Sequence, residues 1–305
     1  MHFKHISIVG VGLIGGSFAL AARRARIAER ITGWDSKEAL DEARARGVID
    51  GSEDSFDSDG LCDADLVYLA APVGAIMSFM RTRGSSLKSG AIVTDAGSTK
   101  REICRVAREA LPNPVTFVGG HPMAGSHKAG IEHACADLFR GAPYALIADD
   151  SKPESSSALR LIEEVVRRIG AVPVKLTAEE HDRVVARVSH APQLLATALA
   201  CAVARRRNDA DLRLAGSGFS EMVRLAASRW SMWEDICRTN ADEITVALDE
   251  VIGEMEAARS SITSGDFDSV GTAFDEANAL IQSCSLTDRE DSISEEEQTR
   301  SGKDQ

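Results

Sequence analysis

A single histidine lies among three glycines in the segment Gly119-Gly120-His121-Pro122-Met123-Ala124-Gly125-Ser126. Glycine carries no Cβ, so the backbone can approach a ligand closely, and Pro122 fixes φ next to the histidine. An imidazole titrates near neutral pH and can take a proton from a reacting group. The apolar residues before it, Phe117 and Val118, predict a strand, and α/β proteins bind ligands in the loops that follow strands. Taken alone, such a histidine is more often simply solvated, so His121 needs partners before it qualifies as catalytic.

A second glycine-rich segment, Gly10-Val11-Gly12-Leu13-Ile14-Gly15, has the pattern of a dinucleotide-binding loop. It lies between a predicted buried strand, Phe3–Val9, and a predicted helix, Phe18–Arg26, which is the context that a G-x-G-x-x-G pattern requires. The first glycine makes a tight turn, the second lets the backbone approach a pyrophosphate, and the third permits close packing of helix on strand. The helix N-terminus then offers unpaired N–H groups to the phosphates. We therefore predict that this segment binds a dinucleotide.

An acidic residue indicates which dinucleotide is bound. The next predicted strand, Arg30–Trp34, ends at Asp35, at the distance of about 20 residues from the glycine loop that such proteins use. A carboxylate there hydrogen-bonds the adenosine ribose 2′-hydroxyl and repels a 2′-phosphate, so NAD is favoured over NADP. Lys37 and Arg44 lie nearby in the sequence and could in principle serve a phosphate.

Two further predicted strands end at the same edge of the sheet. Each is followed by residues suited to a cofactor wall, Ala71 and Pro72 after one strand and Gly97 after the next. Pro72 is equally consistent with a simple strand terminator. Ser98 follows Gly97 and faces the edge where His121 is expected, and it could also cap the predicted helix Lys100–Ala110. Loops that converge on one sheet edge indicate a site.

The strand signals stop after Leu176, and a helical region begins. Thr177-Ala178-Glu179-Glu180 is a capping box, which predicts the start of a long helix, and Pro192 is expected to kink that helix near His190. Apolar residues at helical spacing predict its buried face. These residues are Val184, Val188, Ala191, Leu195 and Ala198. Further helices are predicted within 216–240, at 241–261 and at 269–283.

The predicted architecture is α/β, with a Rossmann-type dinucleotide-binding domain followed by an all-α domain. The 305 residues suffice for two ordinary domains, which we place at residues 1–176 and 177–286. Helices rich in alanine and leucine suggest a bundle whose apolar surface is shared with a second subunit, so we expect a homodimer. Residues 287–305 are polar and acidic without apolar periodicity, which predicts a disordered tail.

The composition argues against several classes of function. The net charge is -12, so the chain is a poor candidate for binding a nucleic acid or an anionic membrane. The six cysteines are scattered without metal-ligand spacing, which indicates reduced thiols and no metal site. The N-terminus enters a predicted strand within a few residues, leaving no room for a signal peptide. No apolar run approaches the ~18 residues of a membrane span. We expect a soluble cytoplasmic protein.

Five motifs in a fixed order resemble those of one enzyme family. They are Gly10-Val11-Gly12-Leu13-Ile14-Gly15-Gly16-Ser17, Asp95-x-Gly97-Ser98-x-Lys100, Gly120-His121-Pro122-Met123-Ala124-Gly125, Ser189-His190-x-Pro192, and Arg224-x-Ala226 with Met232-Trp233-x-Asp235-Ile236. Together they resemble the prephenate/arogenate dehydrogenases of tyrosine biosynthesis over roughly residues 3 to 285. The resemblance implies an N-terminal nucleotide-binding domain, a C-terminal helical dimerisation domain, and NAD as the cofactor. It also implies oxidative decarboxylation of prephenate to 4-hydroxyphenylpyruvate, or of arogenate to tyrosine.

The resemblance assigns roles by position. His121 matches the family's catalytic histidine, which accepts a hydrogen bond or a proton from the ring 4-hydroxyl, and Ser98 matches a serine that contacts this hydroxyl. His190 and Arg224 match residues that hold the substrate carboxylates, and an arginine fork suits a carboxylate well. The other positions expected to line the substrate pocket are Ser126, His127 and Trp233.

One departure from the family pattern bears on substrate choice. His127 stands where relatives often carry an acidic residue, which would suit the ammonium group of arogenate. An imidazole does not, so prephenate is the predicted substrate, and an arogenate or dual-specificity cyclohexadienyl dehydrogenase is the alternative. A β-hydroxyacid-type dehydrogenase fits less well, because residues 177–207 contain no lysine for its catalysis. A non-catalytic NAD sensor would keep the glycine loop without needing Ser98, His121 and Arg224 together.

Overall fold

Eight strands alternate with helices along the first part of the chain. The computed structural model describes residues 2–52, 61–125, 130–148, 153–206 and 213–283. The strands are β1 (Phe3–Val9), β2 (Ala28–Trp34), β3 (Gly51–Ser52), β4 (Leu66–Leu69), β5 (Ile92–Asp95), β6 (Thr116–Pro122), β7 (Pro143–Ala148) and β8 (Val172–Lys175). The helices are α1 (Leu13–Arg24), α2 (Lys37–Ala45), α3 (Val73–Arg83), α4 (Arg101–Ala110), α5 (Pro153–Arg168), α6 (Ala178–Val185), α7 (Ala191–Arg206), α8 (Ser217–Val223), α9 (Trp230–Thr239), α10 (Ala241–Ser264) and α11 (Phe267–Ser283).

The strands form one sheet in the order β3-β2-β1-β4-β5-β6-β7-β8. Pairing is parallel from β3 to β6, β7 runs antiparallel to β6, and β8 is parallel to β7. Side chains of α1, α2 and α5 cover one face, and side chains of α3 and α4 cover the other. Strands buried on both faces are rich in apolar residues, and β1 buries Ile6 and Ile8 together with the polar side chains of His5 and Ser7. The predicted Rossmann-type fold is confirmed.

The glycine–histidine segment differs from the predicted loop. β6 continues through the glycines to Pro122, and its last residues pair with β7, with His121 opposite Ala145. A Cβ at Gly120 would overlap the backbone carbonyl oxygen of Asp95 at the end of β5. Only glycine therefore lets β6 approach β5 this closely. The prediction of a loop was wrong for this part because glycine is a weak strand former in general. His121 is therefore held by the sheet.

The long helix predicted after the capping box is divided by a wider turn. Thr177 and Glu180 form the capping box at the start of α6. A π-helical turn, Ala186–His190, then joins α6 to α7, and the N–H of Ala191 donates to the carbonyl of Ala186. Pro192 follows at once, and a proline ring clashes with the carbonyl of an ordinary helical turn. The predicted irregularity near His190 thus takes the form of a π turn.

The predicted buried face of this helical segment was largely wrong. Val184 and Val188 are 45% and 63% exposed in the single chain, and Ala198 is exposed as well. Ala191 is buried as predicted. The other buried positions are polar at His181, Asp182, His190 and Gln193 and apolar at Val185, Ala186 and Ala196. Apolar periodicity could not identify this face, because its polar side chains are buried in hydrogen bonds instead.

The chain divides into two compact units after Thr245. The first contains the sheet and α1 to α9. The second contains most of α10 together with α11, and many of its large apolar side chains are exposed. Examples are Ile252, Met255, Ile262, Phe267, Phe274 and Leu280. Within the described ranges, no helix combines the length and the apolar character needed to cross a bilayer.

Candidate active site

The glycine loop after β1 leaves room for a ligand. Gly10 has a φ of +91°, in the left-handed region that favours glycine, and a Cβ there would overlap the carbonyl oxygen of Ala70. A Cβ at Gly12 would meet no described atom within 4 Å, so the space beside it is open. A Cβ at Gly15 would overlap the carbonyl oxygen of Gly10 and lie 3.0 Å from Ile8. Only glycine therefore allows α1 to pack this closely on β1.

The start of α1 and the end of β2 complete a dinucleotide-binding surface. Gly12 is the N-cap of α1, with no capping side chain among the described residues and no acidic residue in the first turn. The N–H groups of Leu13 and Ile14 are thus available to phosphate oxygens. Asp35 is exposed, and its carboxylate accepts the N–H of Val11 at 2.8 Å and that of Ser36 at 2.7 Å. It retains lone pairs for ribose hydroxyls, so these residues fit a dinucleotide.

The ends of β4 and β5 adjoin this loop. The backbone nitrogen of Ala71 lies 3.3 Å from the Cβ position of Gly10, and Pro72 is the N-cap residue of α3. The N–H of Ala96 donates to the carbonyl of Leu69 at 2.9 Å, which continues the ladder beyond β5 toward Gly97. Ala71, Pro72 and Gly97 therefore lie along one sheet edge with the glycine loop.

A buried ion pair braces the ends of β5 and β6. One carboxylate oxygen of Asp95 accepts hydrogen bonds from the ammonium group of Lys100 and from the N–H of Gly97, and the other accepts the N–H of Gly120 at 2.9 Å. The side chains of Asp95 and Lys100 are both 0% exposed. Buried charges are costly unless paired, so each depends on the other. This pair fixes the backbone immediately before His121.

His121 is the first member of a chain of buried polar groups. Its Nδ1 lies 2.8 Å from Nε2 of His181, and Nδ1 of His181 lies 2.8 Å from Oδ1 of Asp182. His121 is 8% exposed, and the other two are almost fully buried. Because His121 uses Nδ1 for this contact, its Nε2 is the nitrogen left for a reacting group. These hydrogen bonds connect β6 of the sheet to α6 of the helical region.

Asp182 also caps α4 from outside that helix. Its carboxylate accepts the backbone N–H groups of Lys100 at 2.7 Å and Arg101 at 2.9 Å, the first free donors of α4. A negative charge at a helix N-terminus is stabilising. The Arg101 guanidinium adds a contact through Nε at 3.3 Å. The backbone carbonyl of Asp182 accepts the side-chain N–H of Asn240 at 2.8 Å. Asp182 therefore connects the sheet domain, α6 and the end of α9.

Burial and hydrogen bonding determine the charge states of His121, His181 and Asp182. It lowers the pKa of His121 well below the usual value, and the neighbouring imidazoles and Lys100 lower it further. Burial likewise lowers the pKa of His181, although the hydrogen bond to Asp182 opposes this. Burial raises the pKa of Asp182, but hydrogen bonds from His181 and from the backbone of Arg101 and Lys100 bring it below the usual value. At neutral pH both imidazoles are therefore neutral and the carboxylate is ionised.

His190 lies in the π turn and is 1% exposed. Its Nδ1 accepts a hydrogen bond from the amide of Asn240 at 3.3 Å, and Trp233 packs edge-on against its ring with centroids 5.9 Å apart. Its Nε2 is buried and has no hydrogen-bond partner among the described residues. Burial lowers the pKa of His190 to about 4. A neutral N–H donor is thus held without an acceptor, a state that a bound anion would relieve.

The remaining predicted residues are placed less specifically. Ser98 is half-buried, and the expected helix cap is not formed, because α4 begins at Arg101 with Lys100 as its N-cap residue. Arg224 starts a short 3₁₀ helix and is exposed in the single chain, so no described contact brings it to His121. Ser126 and His127 lie outside the described residues.

A second carboxylate from the helical region caps a helix of the sheet domain. Oδ2 of Asp235 in α9 accepts the N–H of Gly74 at 2.8 Å, in the first turn of α3. A Cβ at Gly74 would lie 2.8 Å from that oxygen, so glycine permits the approach. The hydroxyls of Thr99 and Thr239 are hydrogen-bonded at 2.8 Å. These contacts hold α9, which carries Trp233, against the edge where β4 and β5 end.

Sequence reasoning missed the residues behind the two site histidines. His181 and Asp182 follow a capping box and resemble an ordinary charged helix start, and Asn240 resembles a helix stop. Asp95 and Lys100 were present in a recognised motif, but their pairing was not deduced. No local signal links His121 with His181, because their contact is made only when the chain folds.

Two family models together match most of the chain. A model described as prephenate dehydrogenase, nucleotide-binding domain, matches residues 18–175, and one described as prephenate dehydrogenase, dimerization domain, matches residues 177–276. The prephenate dehydrogenase of Bacillus subtilis (strain 168) is 36% identical over 265 residues, which cover 86% of this chain and 71% of that protein. The cyclohexadienyl dehydrogenase of Zymomonas mobilis is 33% identical over 270 residues, which cover 87% of this chain and 91% of that protein.

A solved structure is also similar over nearly the whole length. It is a crystal structure of prephenate dehydrogenase from A. aeolicus in complex with hydroxyphenyl propionate and NAD+. The TM-score is 0.85 at 28% sequence identity, with 91% of this chain and 97% of that chain covered.

Proposed function

The chain belongs to the prephenate dehydrogenase family, and we propose that it catalyses the NAD-dependent oxidative decarboxylation of prephenate to 4-hydroxyphenylpyruvate in tyrosine biosynthesis. The observation that carries this function is the buried imidazole of His121, held at Nδ1 by His181 at the sheet edge that also bears the glycine loop. A neutral imidazole in that position is suited to exchange a proton with a substrate hydroxyl.

His121 handles one proton throughout the reaction. When bound, NAD+ accepts the hydride that leaves C4 of prephenate. His121 takes the proton of the C4 hydroxyl at Nε2 while that oxygen becomes a carbonyl. When CO2 leaves C1, the electrons of the broken bond pass into the ring, which becomes aromatic, and His121 returns the proton to the oxygen on C4. The protonation state of His121 is thereby restored at the end of each turnover.

The other polar residues bind the substrate. We assign Ser98 to the C4 hydroxyl, because it follows β5 at the strand end next to β6. His190 and Arg224 are assigned to the carboxylates, supported by the N–H of His190, which has no partner among the described residues, and by the permanent charge of Arg224. Trp233, which packs on His190, is assigned to the wall of the substrate pocket. Ser126 and His127 remain predicted substrate contacts.

NAD is the cofactor, as in the A. aeolicus structure. We assign its binding to the ends of the first parallel strands. The residues are Gly10, Val11, Gly12, Leu13, Ile14, Gly15, Asp35, Ala71, Pro72 and Gly97. The support is the space at Gly12 and the start of α1, which the described side chains leave open and uncapped, and the exposed carboxylate of Asp35.

We also propose that the protein works as a cytoplasmic homodimer. Residues 177–286 would form the substrate and dimerisation domain and residues 1–176 the NAD-binding domain, with 287–305 as an acidic tail. The exposed apolar side chains of α10 and α11 support a dimer, because large apolar patches mark interaction sites. The free thiols of Cys62, Cys104, Cys135, Cys201 and Cys237 support a reducing compartment.

A direct assay tests the proposed activity. The purified full-length chain is mixed with prephenate and NAD+, and formation of NADH and 4-hydroxyphenylpyruvate is followed. We expect one NADH for each prephenate consumed, a higher kcat/KM with prephenate than with arogenate, and a higher kcat/KM with NAD+ than with NADP+. NADH formation with arogenate but not with prephenate would contradict the proposed substrate.

A further inference from the structure

Two residues outside the predicted site determine how the catalytic histidine can act. We propose that His181 and Asp182 are positioning residues that keep the ring proton of His121 on Nδ1, so that Nε2 presents a lone pair to the substrate hydroxyl. The identity of that hydroxyl rests on the proposed function, whereas the position of the ring proton follows from hydrogen bonds within this chain.

Asp182 determines which atom donates in each hydrogen bond of the series Asp182–His181–His121. Its carboxylate receives the backbone N–H groups of Lys100 and Arg101, at 2.7 and 2.9 Å, and Nε of Arg101 at 3.3 Å. All of these partners can only donate. An ionised carboxylate has only acceptor sites, so the remaining contact, from Nδ1 of His181 at 2.8 Å, must also be a donated N–H.

The proton position on His181 then determines the proton position on His121. A neutral imidazole has one N–H donor and one acceptor nitrogen. Because His181 donates from Nδ1, its Nε2 carries a lone pair and must accept. The partner at 2.8 Å is Nδ1 of His121, which therefore carries the proton. Nε2 of His121 is left with a lone pair, the form that a general base needs.

The charged groups around His121 and His181 are consistent with both imidazoles being neutral. Lys100 faces both imidazoles and disfavours a further positive charge on either, and His190 does the same for His121. Asp182 and Asp95 favour a charge on His181, but burial is the larger effect. A doubly protonated His181 would donate from both nitrogens and would force His121 into the opposite tautomer.

The arrangement also serves the protonated state. When Nε2 takes the substrate proton, Nδ1–H still donates to His181, and the negative charge of Asp182 lies behind that ring. A carboxylate in a Ser-His-Asp triad fixes its histidine tautomer in a comparable way, and loss of that control costs ~10⁴-fold in kcat there. Here the carboxylate acts through a second imidazole rather than directly.

The tautomer can be measured in the resting protein. Long-range ¹H–¹⁵N NMR spectra of the full-length chain labelled with ¹⁵N-histidine distinguish a protonated ring nitrogen from an unprotonated one. The chain has seven histidines, and the spectrum of His121→Asn identifies the signals of His121. We expect the proton on Nδ1 at neutral pH. A proton on Nε2 in most molecules would overturn the proposal, whatever the substrate is.

Two substitutions at His181 separate positioning from packing. His181→Leu removes the acceptor for Nδ1 of His121, so we expect mixed tautomers and a kcat lower by ~10²-fold or more. His181→Gln can accept with its carbonyl oxygen and donate with its amide, so kcat should remain within about tenfold of the wild type. KM for prephenate should change by less than about twofold in both, because His181 is buried behind His121, on the side of its Nδ1.

The outcomes are distinguishable from failure of the proposed function. Equal loss of kcat in both variants, with a single unchanged His121 tautomer, would show a merely structural role and overturn the proposal. Near-normal kcat in His181→Leu would overturn it as well. Circular dichroism and thermal unfolding establish that both variants fold. If the wild type does not turn over prephenate, the proposed function fails, while the NMR experiment still decides the tautomer.

Discussion

His121 and His190 are both buried, but their surroundings give them opposite hydrogen-bonding properties. Nδ1 of His121 faces a ring nitrogen that is backed by the carboxylate of Asp182. Nδ1 of His190 faces the amide of Asn240 instead. That amide has one possible orientation, because its oxygen accepts from the guanidinium of Arg101 and its nitrogen donates to the carbonyl of Asp182. His190 therefore accepts at Nδ1 and carries its proton on Nε2.

The comparison shows that the partner of one ring nitrogen decides what the other can do. A hydroxyl that loses its proton needs an acceptor, and the region around His121 supplies one. A carboxylate needs a donor, and the region around His190 supplies that. Asp182 serves both regions, through its side chain toward His121 and through its backbone carbonyl toward Asn240. Both rings stay neutral because burial lowers the pKa of each.

Substitution of His121 should have the largest effect on activity. His121→Asn removes the lone pair at Nε2, so kcat with prephenate should fall by ~10²–10⁴-fold, the usual share of general-base catalysis. KM for NAD+ should change little, because the glycine loop is untouched. Steady-state kinetics of NADH formation measures both. His133→Asn, an exposed histidine in a short 3₁₀ turn, is the matched control and should match the wild type. Near-normal kcat in His121→Asn would remove His121 from the proton transfer.

A donor role at His190 predicts a different kinetic signature. His190→Leu should raise KM for prephenate roughly tenfold to a hundredfold, because a hydrogen bond to a charged group is worth about 1.5–3 kcal/mol. The change in kcat should be smaller. His190→Gln places an amide donor near the position of Nε2 and should recover most of the affinity. A lower kcat with an unchanged KM would place His190 in the proton chemistry and abolish the contrast with His121.

The sequence predicted the sheet well because its signals are local. Phe3–Val9 is a continuous apolar run bounded by a glycine turn, and the structure has β1 over the same residues. Thr177 and Glu180 were expected to form a capping box, and both hydrogen bonds of that box are present at the start of α6. Caps, turns and apolar runs are decided by residues within a few positions of each other. Such features do not depend on the rest of the fold.

The groups behind the site histidines could not be predicted in the same way. The contact between His121 and His181 joins residues that are 60 positions apart, and that between His190 and Asn240 joins residues 50 apart. Helix α6 buries the polar side chains of His181 and Asp182, whereas Val184 of the same helix and Val188 of the following π turn are exposed. A pattern based on hydrophobicity selects the wrong face in that situation, because buried polar groups are satisfied by partners that the pattern does not contain.

Acid stability gives the finest test, because it reports on His190 without substrate. The pKa of His190 is about 4 in the folded chain and 6.5 in an unperturbed histidine. Between these values the unfolded chain binds a proton that the folded chain does not, so stability rises with pH. One such group contributes up to about 1.4 kcal/mol per pH unit to the free energy of unfolding. In His190→Gln the pH dependence in this window should be shallower by up to that amount.

Denaturant unfolding from pH 4.5 to 7 measures the difference. His121 and His181 act with the same sign, because burial lowers their pKa values too, so the variant should keep part of the slope. His133→Gln, at an exposed histidine in a short 3₁₀ turn, is the matched control and should keep the slope of the wild type. If His190→Gln has the slope of the wild type, the pKa of His190 is not lowered in the folded chain, and the imidazole can be protonated near neutral pH when it meets a carboxylate. It would then bind carboxylates as a cation, and the two histidines would differ in charge rather than in the position of one proton.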